Sequence, residues 1–319
     1  MQKPEQINKI VFLGTPEFAA SILQGLLKDS DWEIAAVFTQ PDRASGRSGS
    51  PKPSAVKEMA LRHKLRIFQP RNLQDKNLLL QLKAIQPDLL VVAAYGLLLP
   101  KTLLEIAPYG ALNVHASLLP KYRGAAPIQR ALLNNEQVTG ASIMQMQEGL
   151  DNGPVLLQRA MAIGIEDTAQ SLHNQLAQLG QDLLLQAIKR LQQGTIVPVQ
   201  QDDSLASYAP KLQKAEGNIN WHKKAFEVHN HIRAMYPWPG AFTSFYLNKN
   251  KSINLVLYPG YVGDRLQKST SPGTLVEVTE QGLAFACQDR LYLTPFVKPS
   301  GKKKMDARAF KCGYLTLCP

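Results

Sequence analysis

The chain has 319 residues, 45% hydrophobic and 19% charged, with 36 Lys+Arg against 25 Asp+Glu for a net charge of +11. That balance excludes a disordered polymer and predicts an ordinary globular protein of about two domains. No apolar run reaches the roughly 18 residues of a membrane span, and MQKPEQINKIVFLG lacks a leader's long apolar core and cleavage site.

The first half alternates two kinds of segment. KIVFLGTP (9–16), EIAAVFTQ (33–40), LRIFQP (65–70), PDLLVVAAY (87–95) and ALNVHAS (111–117) are short, mostly apolar strand candidates. Between them EFAASILQGLLK, SAVKEMALRHK, NLLLQLKAI and PKTLLEIA read as amphipathic helices. Strands alternating with helices predict an α/β domain, a doubly wound, mostly parallel, Rossmann-like sheet whose ligands sit outside the carboxyl ends of the strands. TGASIMQM (139–146) and PVLLQRAMAI (154–163) add two strands around the turn QEGLDNG, and a long helix follows from Thr168 to Gln193. Residues 1–194 are thus expected as one domain, and the aperiodic stretch 195–210 as a linker. From 211 to 319 a helix ends at the Pro237/Pro239 break, followed by short strands with a hairpin near Gln281–Gly282, the pattern of a small OB-like β-barrel domain. Charge is uneven between these parts. Up to Tyr208 there are 20 Lys+Arg against 18 Asp+Glu, net +2; beyond it there are 16 against 7, net +9. A basic C-terminal domain suggests either a polyanionic partner or a solvated surface. Cys287, Cys312 and Cys318 all lie late in the chain and form no CxxC pair, which argues against a disulfide framework or zinc site and for a reducing cytoplasm.

In a strand, residues two apart share a face, so Asn113, His115 and Ser117 line up where ALNVHAS ends. Asp151, between Gly149 and Gly153, lies in the loop joining the next two strands and can approach that end. Asn, His and Asp there suit acyl transfer without a nucleophilic side chain. Asn113 donates to a carbonyl oxygen, His115 stabilises a developing oxyanion or shuttles a proton, and Asp151 holds the imidazole or accepts a proton. A structural, hydrogen-bonded histidine would give the same local pattern.

The longer string LNVHASLLPKYRGAAPI, followed by GLDNGPVL, closely resembles the signature of folate-dependent formyltransferases. The resemblance implies Asn113, His115 and Asp151 as the catalytic set, with Ser117, Leu118, Leu119 and Pro120 at the pocket for the co-substrate 10-formyltetrahydrofolate, and no metal. VFLGTPEFAASIL, FTQPDRASGR, YAPKLQKAEGNINW and IRAMYPWPGAF extend it over nearly the whole chain, towards the members that formylate the methionine carried by initiator tRNA. On that likeness Arg43 and Arg47 lie on a basic insertion loop that touches the acceptor stem, Lys211 belongs to the tRNA-binding C-terminal domain, and a monomer is expected. After Arg47 the family usually continues with consecutive lysines, whereas here SGSPKPSAV leaves only Lys52; the usual IDW is INW, with Asn220.

Three rivals remain at this level. A nicotinamide-dependent oxidoreductase needs G-x-G-x-x-G, but VFLGTPEF has a single glycine. A non-catalytic RNA-binding module leaves NVHAS and LDNG unexplained. A formyltransferase acting on an amino sugar nucleotide shares the catalytic half, and the basic C-terminal asymmetry argues against it. Phosphate candidates in the basic domain are Lys211, Lys214, Lys223, Lys224, Arg233, Lys249, Lys251 and Lys302–Lys304. His229 and His231 are expected as surface or helix histidines.

Overall fold

Apolar runs such as Ile10–Leu13 and Leu89–Ala93 are buried along their whole length, which requires a sheet covered on both faces. The computed structural model describes residues 6–29, 31–44, 51–248, 251–266 and 270–315. Two units divide it: Met1–Pro127 with Val138–Ala162 and His173–Pro210, and Ile128–Gln137 with Ile163–Leu172 and Lys211–Pro319.

The first unit is built on seven strands: β1 Lys9–Gly14, β2 Glu33–Phe38, β3 Ile67–Phe68, β4 Leu89–Ala93, β5 Ala111–His115, β6 Val138–Gln145 and β7 Val155–Ala162. They lie in the order β3-β2-β1-β4-β5-β6-β7. The first five are parallel, while β6 and β7 each run antiparallel to the strand before. The expected doubly wound sheet is what forms. Helix α1, Glu17–Lys28, follows β1 and carries Glu17 in its first turn and Lys28 in its last, both favourable to the helix dipole. Helix α2, Ala55–Arg62, starts where the Ser54 hydroxyl accepts from the Lys57 amide at 3.0 Å. LRIFQP contracts to the two residues of β3, and PKTLLEIA to one turn, Lys101–Leu104.

Residues 195–210, expected as a linker, fall within the first unit. Val199 makes a β-bridge to Val155. Tyr208–Ala209 pairs in parallel with Arg123–Gly124, Ser207 Oγ accepts from the Tyr122 amide at 2.9 Å, and Arg123 donates from its amide to the Ser207 carbonyl at 2.8 Å. Such a stretch has no hydrophobic period because its order comes from individual polar contacts.

The second unit holds two four-stranded sheets, antiparallel throughout. The expected hairpin is present, Leu275–Thr279 turning into Gly282–Ala286. Trp221 stacks on Phe285 at 5.1 Å and donates its indole N–H to Thr243 Oγ1 at 3.0 Å. The helix Ala225–Met235 buries His229 and Arg233. Arg233, a phosphate candidate in the sequence, instead directs its guanidinium inward, donating from Nη1 to the carbonyls of Gly164 and Asp167 at 2.9 Å each and from Nε and Nη2 to Asn230 Oδ1.

Of the two places expected for it, surface or helix, His229 takes the helix, on its buried side. Burial lowers its pKa, against the Ile165 carbonyl that favours the charged form, and burial lowers His231 as well. Since both folded values lie below the ordinary 6.5, the unfolded chain binds more protons on acidification. Stability is therefore intact above 6.5 and is lost as the pH falls through and below it. The melting midpoint is expected to drop between pH 7.5 and 5.5, and His229→Gln to flatten that slope. A slope unchanged in the variant would remove His229 from the account.

Candidate active site

The site begins at the carboxyl end of β5, whose five residues are all buried. Asn113 and His115 share one face and are 7% and 6% exposed. Val114 packs on the opposite face, where a side-chain atom at Gly180 would meet its Cγ1. The strand ends at His115, so the alternation does not carry Ser117 into line; its hydroxyl donates to the Lys121 carbonyl at 2.6 Å and closes the next turn.

Asp151 comes to this strand end on the loop between β6 and β7. Asn113 Nδ2 donates to Asp151 Oδ1 at 3.2 Å, and His115 Nδ1 lies 3.6 Å from Asp151 Oδ2. The three residues of the sequence motif are therefore in one cluster. His115 Nε2 donates to the Tyr122 carbonyl at 2.9 Å; a carbonyl only accepts, so this nitrogen carries the proton. Nδ1 is left facing the carboxylate at ion-pair rather than hydrogen-bond distance. The imidazole is thus anchored by backbone on one side and faces the Asp151 carboxylate on the other.

Two backbone features hold Asp151. It adopts a left-handed φ of +48°, uncommon for a residue with a side chain, and its Oδ2 accepts from the Gly124 amide at 2.8 Å. Gly124 itself has φ +118° and approaches the Ala209 carbonyl so closely that a Cβ would come within 2.8 Å of its oxygen. At Gly153 a Cβ would collide with the Gln145 carbonyl oxygen. The two glycines are there because the backbones touch.

The SLLP turn is fixed from beneath. Ser142 Oγ donates to the Ser117 carbonyl at 2.5 Å and accepts from the Leu119 amide at 3.1 Å. Gln158 Nε2 donates to the Leu119 carbonyl at 2.7 Å and to Ser142 Oγ at 2.9 Å. Ser117 and Leu119 are buried, while Leu118 and Pro120 are partly open. Leu97–Pro100, after β4, and Arg71–Gln74, after the edge strand β3, line a cavity of about 410 Å³.

Of the residues tied to tRNA, Arg43 is exposed in a two-residue pairing with Pro51–Lys52, and Lys211 is exposed in the second unit. Arg47 and Lys249 lie outside the described residues. Sequence reasoning missed Tyr122, Gly124, Ser142, Gln158 and Gln201. The pairing of a left-handed Tyr122 (φ +61°) with Gly124 was the one local hint, in the string KYRGAA.

A polar trio thus stands at the carboxyl end of β5 in a doubly wound sheet. A model of the formyl transferase family matches residues 8–188, and one of the formyl transferase C-terminal domain matches residues 211–315. The methionyl-tRNA formyltransferase of Nitratidesulfovibrio vulgaris (strain DP4) is 49% identical over 310 residues, 97% of this chain and 94% of that protein. That of Trichlorobacter lovleyi is 45% identical over 306 residues, 96% and 94% of the two chains. The chain belongs to the formyl transferase family, in its methionyl-tRNA formyltransferase branch. In fold it is similar to HypX from Aquifex aeolicus in complex with tetrahydrofolic acid, with TM-score 0.67 and 14% identity over 98% of this chain and 48% of that one. It is also similar to the N-formyltransferase from Helicobacter canadensis in complex with folinic acid and dTDP-3-aminofucose, with TM-score 0.60 and 20% identity over 90% and 99%.

Proposed function

We propose that the protein transfers the formyl group of 10-formyltetrahydrofolate to the α-amino group of methionine esterified to initiator tRNA, acting as a cytoplasmic monomer. The convergence of Asn113, His115 and Asp151 at the carboxyl edge of the sheet is the observation that carries this reading. The folate supplies the one-carbon unit. Its flat ring is assigned to a slot formed by the segment Leu97–Leu99, which lines a cavity, together with the turn Ser117–Pro120.

Each side chain then has a task. The amine must be neutral to attack, and the formyl oxygen gains negative charge as the new C–N bond forms. Asn113 keeps one amide hydrogen on Asp151 and offers the other to that oxygen. His115 keeps Nε2 on the Tyr122 carbonyl, and its Nδ1, when it carries a proton, donates to the same formyl oxygen. The Asp151 carboxylate accepts the proton that leaves the amine, directly or through water, and returns it to N10 of the folate as the C–N10 bond breaks, so that tetrahydrofolate leaves and the carboxylate is restored. Arg43, Arg47 and Lys211 are assigned to the tRNA, where phosphate contacts set register.

No membrane enters this scheme, and among the described residues no helix is long and apolar enough to cross one. The test is incubation with charged initiator tRNA and 10-formyltetrahydrofolate, followed by detection of formylmethionine. Elongator methionyl-tRNA is the control. Formylation of an amino sugar nucleotide in place of the tRNA would overturn the assignment.

A further inference from the structure

We infer that Gln201 is a positioning residue for the Asp151 carboxylate. The inference rests on the catalytic role proposed for Asp151.

Gln201 sits in the aperiodic stretch that follows the long helix, and its amide faces two ways. Nε2 donates to the carbonyls of Asp151 and Gly153, at 2.8 and 2.7 Å. Oε1 accepts from Nε and Nη2 of Arg123, at 3.0 and 2.9 Å. The whole side chain is occupied, on partners 48 to 78 residues away. Arg123 is itself 4% exposed, and its Nη2 also donates to Asp203 Oδ1 at 2.7 Å.

The two ends of this bridge are the two supports of Asp151. On one side, Gln201 grips the carbonyls that flank Asn152 and so fixes the left-handed turn Asp151 occupies. On the other, Arg123 precedes Gly124, whose amide donates to Asp151 Oδ2. The bridge couples the loop's backbone to the strand piece that orients its carboxylate. Gln201 hydrogen-bonds the backbone of Asp151 and not its carboxylate, so its effect on the reaction passes through that loop.

Gln201→Glu keeps the shape and the Arg123 contact but turns an acceptor towards two carbonyl oxygens. Gln201→Met removes all four hydrogen bonds at similar volume. Both are expected to lower kcat by about 10- to 100-fold, since displacements near 1 Å at a reacting group cost rates of that order. KM for tRNA and for folate should stay within about twofold, because Gln201 lies on neither binding surface in this scheme. Rates are referred to the folded fraction, read from melting curves and near-UV circular dichroism.

The deciding measurement repeats Gln201→Glu in the Asp151→Asn background under single-turnover conditions. If Gln201 acts through the carboxylate, the second substitution adds little to the first. An equal loss in both backgrounds would make Gln201 merely structural and overturn the inference, as would a wild-type kcat for Gln201→Glu. Near-normal kcat for Asp151→Asn alone would instead overturn the catalytic role of Asp151, and with it this inference. The outcomes are distinct.

Discussion

Replacing His115 with Ala is expected to lower kcat for formylation by about 10²–10³-fold, the usual effect of losing one donor at a developing oxyanion. Asp151→Ala should do as much. The two residues are ordered at a buried strand end, so truncation removes charge stabilisation and proton acceptance without disturbing the surfaces that grip tRNA. Affinity for methionyl-tRNA, measured by filter binding with the inactive variants, should remain within about twofold of the parent. Because the pair lies 3.6 Å apart and serves one proton path in the proposed mechanism, the double variant should lose far less than the product of the single losses. Near-normal kcat in either single variant would refute the assignment of the trio.

Affinity for initiator tRNA is expected to fall on the order of 10³-fold between 50 and 200 mM salt if about six phosphates are neutralised. The C-terminal part supplies the charge, net +9 beyond Tyr208. Among its cations Lys211, Lys214, Lys224, Lys302 and Lys303 are exposed. Lys304 lies over the rings of Phe296 and Tyr258, at 3.9 and 4.6 Å, and Lys223 is paired with Glu227 at 2.8 Å, so these two should contribute less. Arg233 should contribute nothing, its donors being turned inward. Removing Lys211 should reduce the salt slope by about one, whereas Arg43→Ala should raise KM for tRNA far more than KM for folate. A slope near zero would withdraw the electrostatic role of this part of the chain.

Much of the fold was legible because hydrophobic period is a local signal. EFAASILQGLLK became a helix over the same twelve residues, and the apolar strands fell into a sheet in which parallel order follows from the helices between them. Asn113 and His115 were legible as a pair because a strand's two-residue repeat puts them on one face. Ser117 was not, since the strand ends before it and the hydroxyl closes a turn. The contacts that orient the trio were invisible for another reason: they join backbone groups to side chains far apart in sequence, as between Arg123 and Gln201. Sequence period carries nothing about such pairs. Arg233 shows the same limit from the opposite side, because a cation reads as surface until carbonyls from another segment are seen to receive it.

The pairing of Tyr208–Ala209 with Arg123–Gly124 determines where this protein can be cut. A fragment ending at Gly194, after the long helix, would retain every member of the trio and all seven strands. It would lose the side chains and backbone that fasten Tyr122, Arg123 and Gly124, and the loops bearing His115's and Asp151's anchors would be released. The shortest N-terminal fragment that keeps these contacts therefore ends near Pro210.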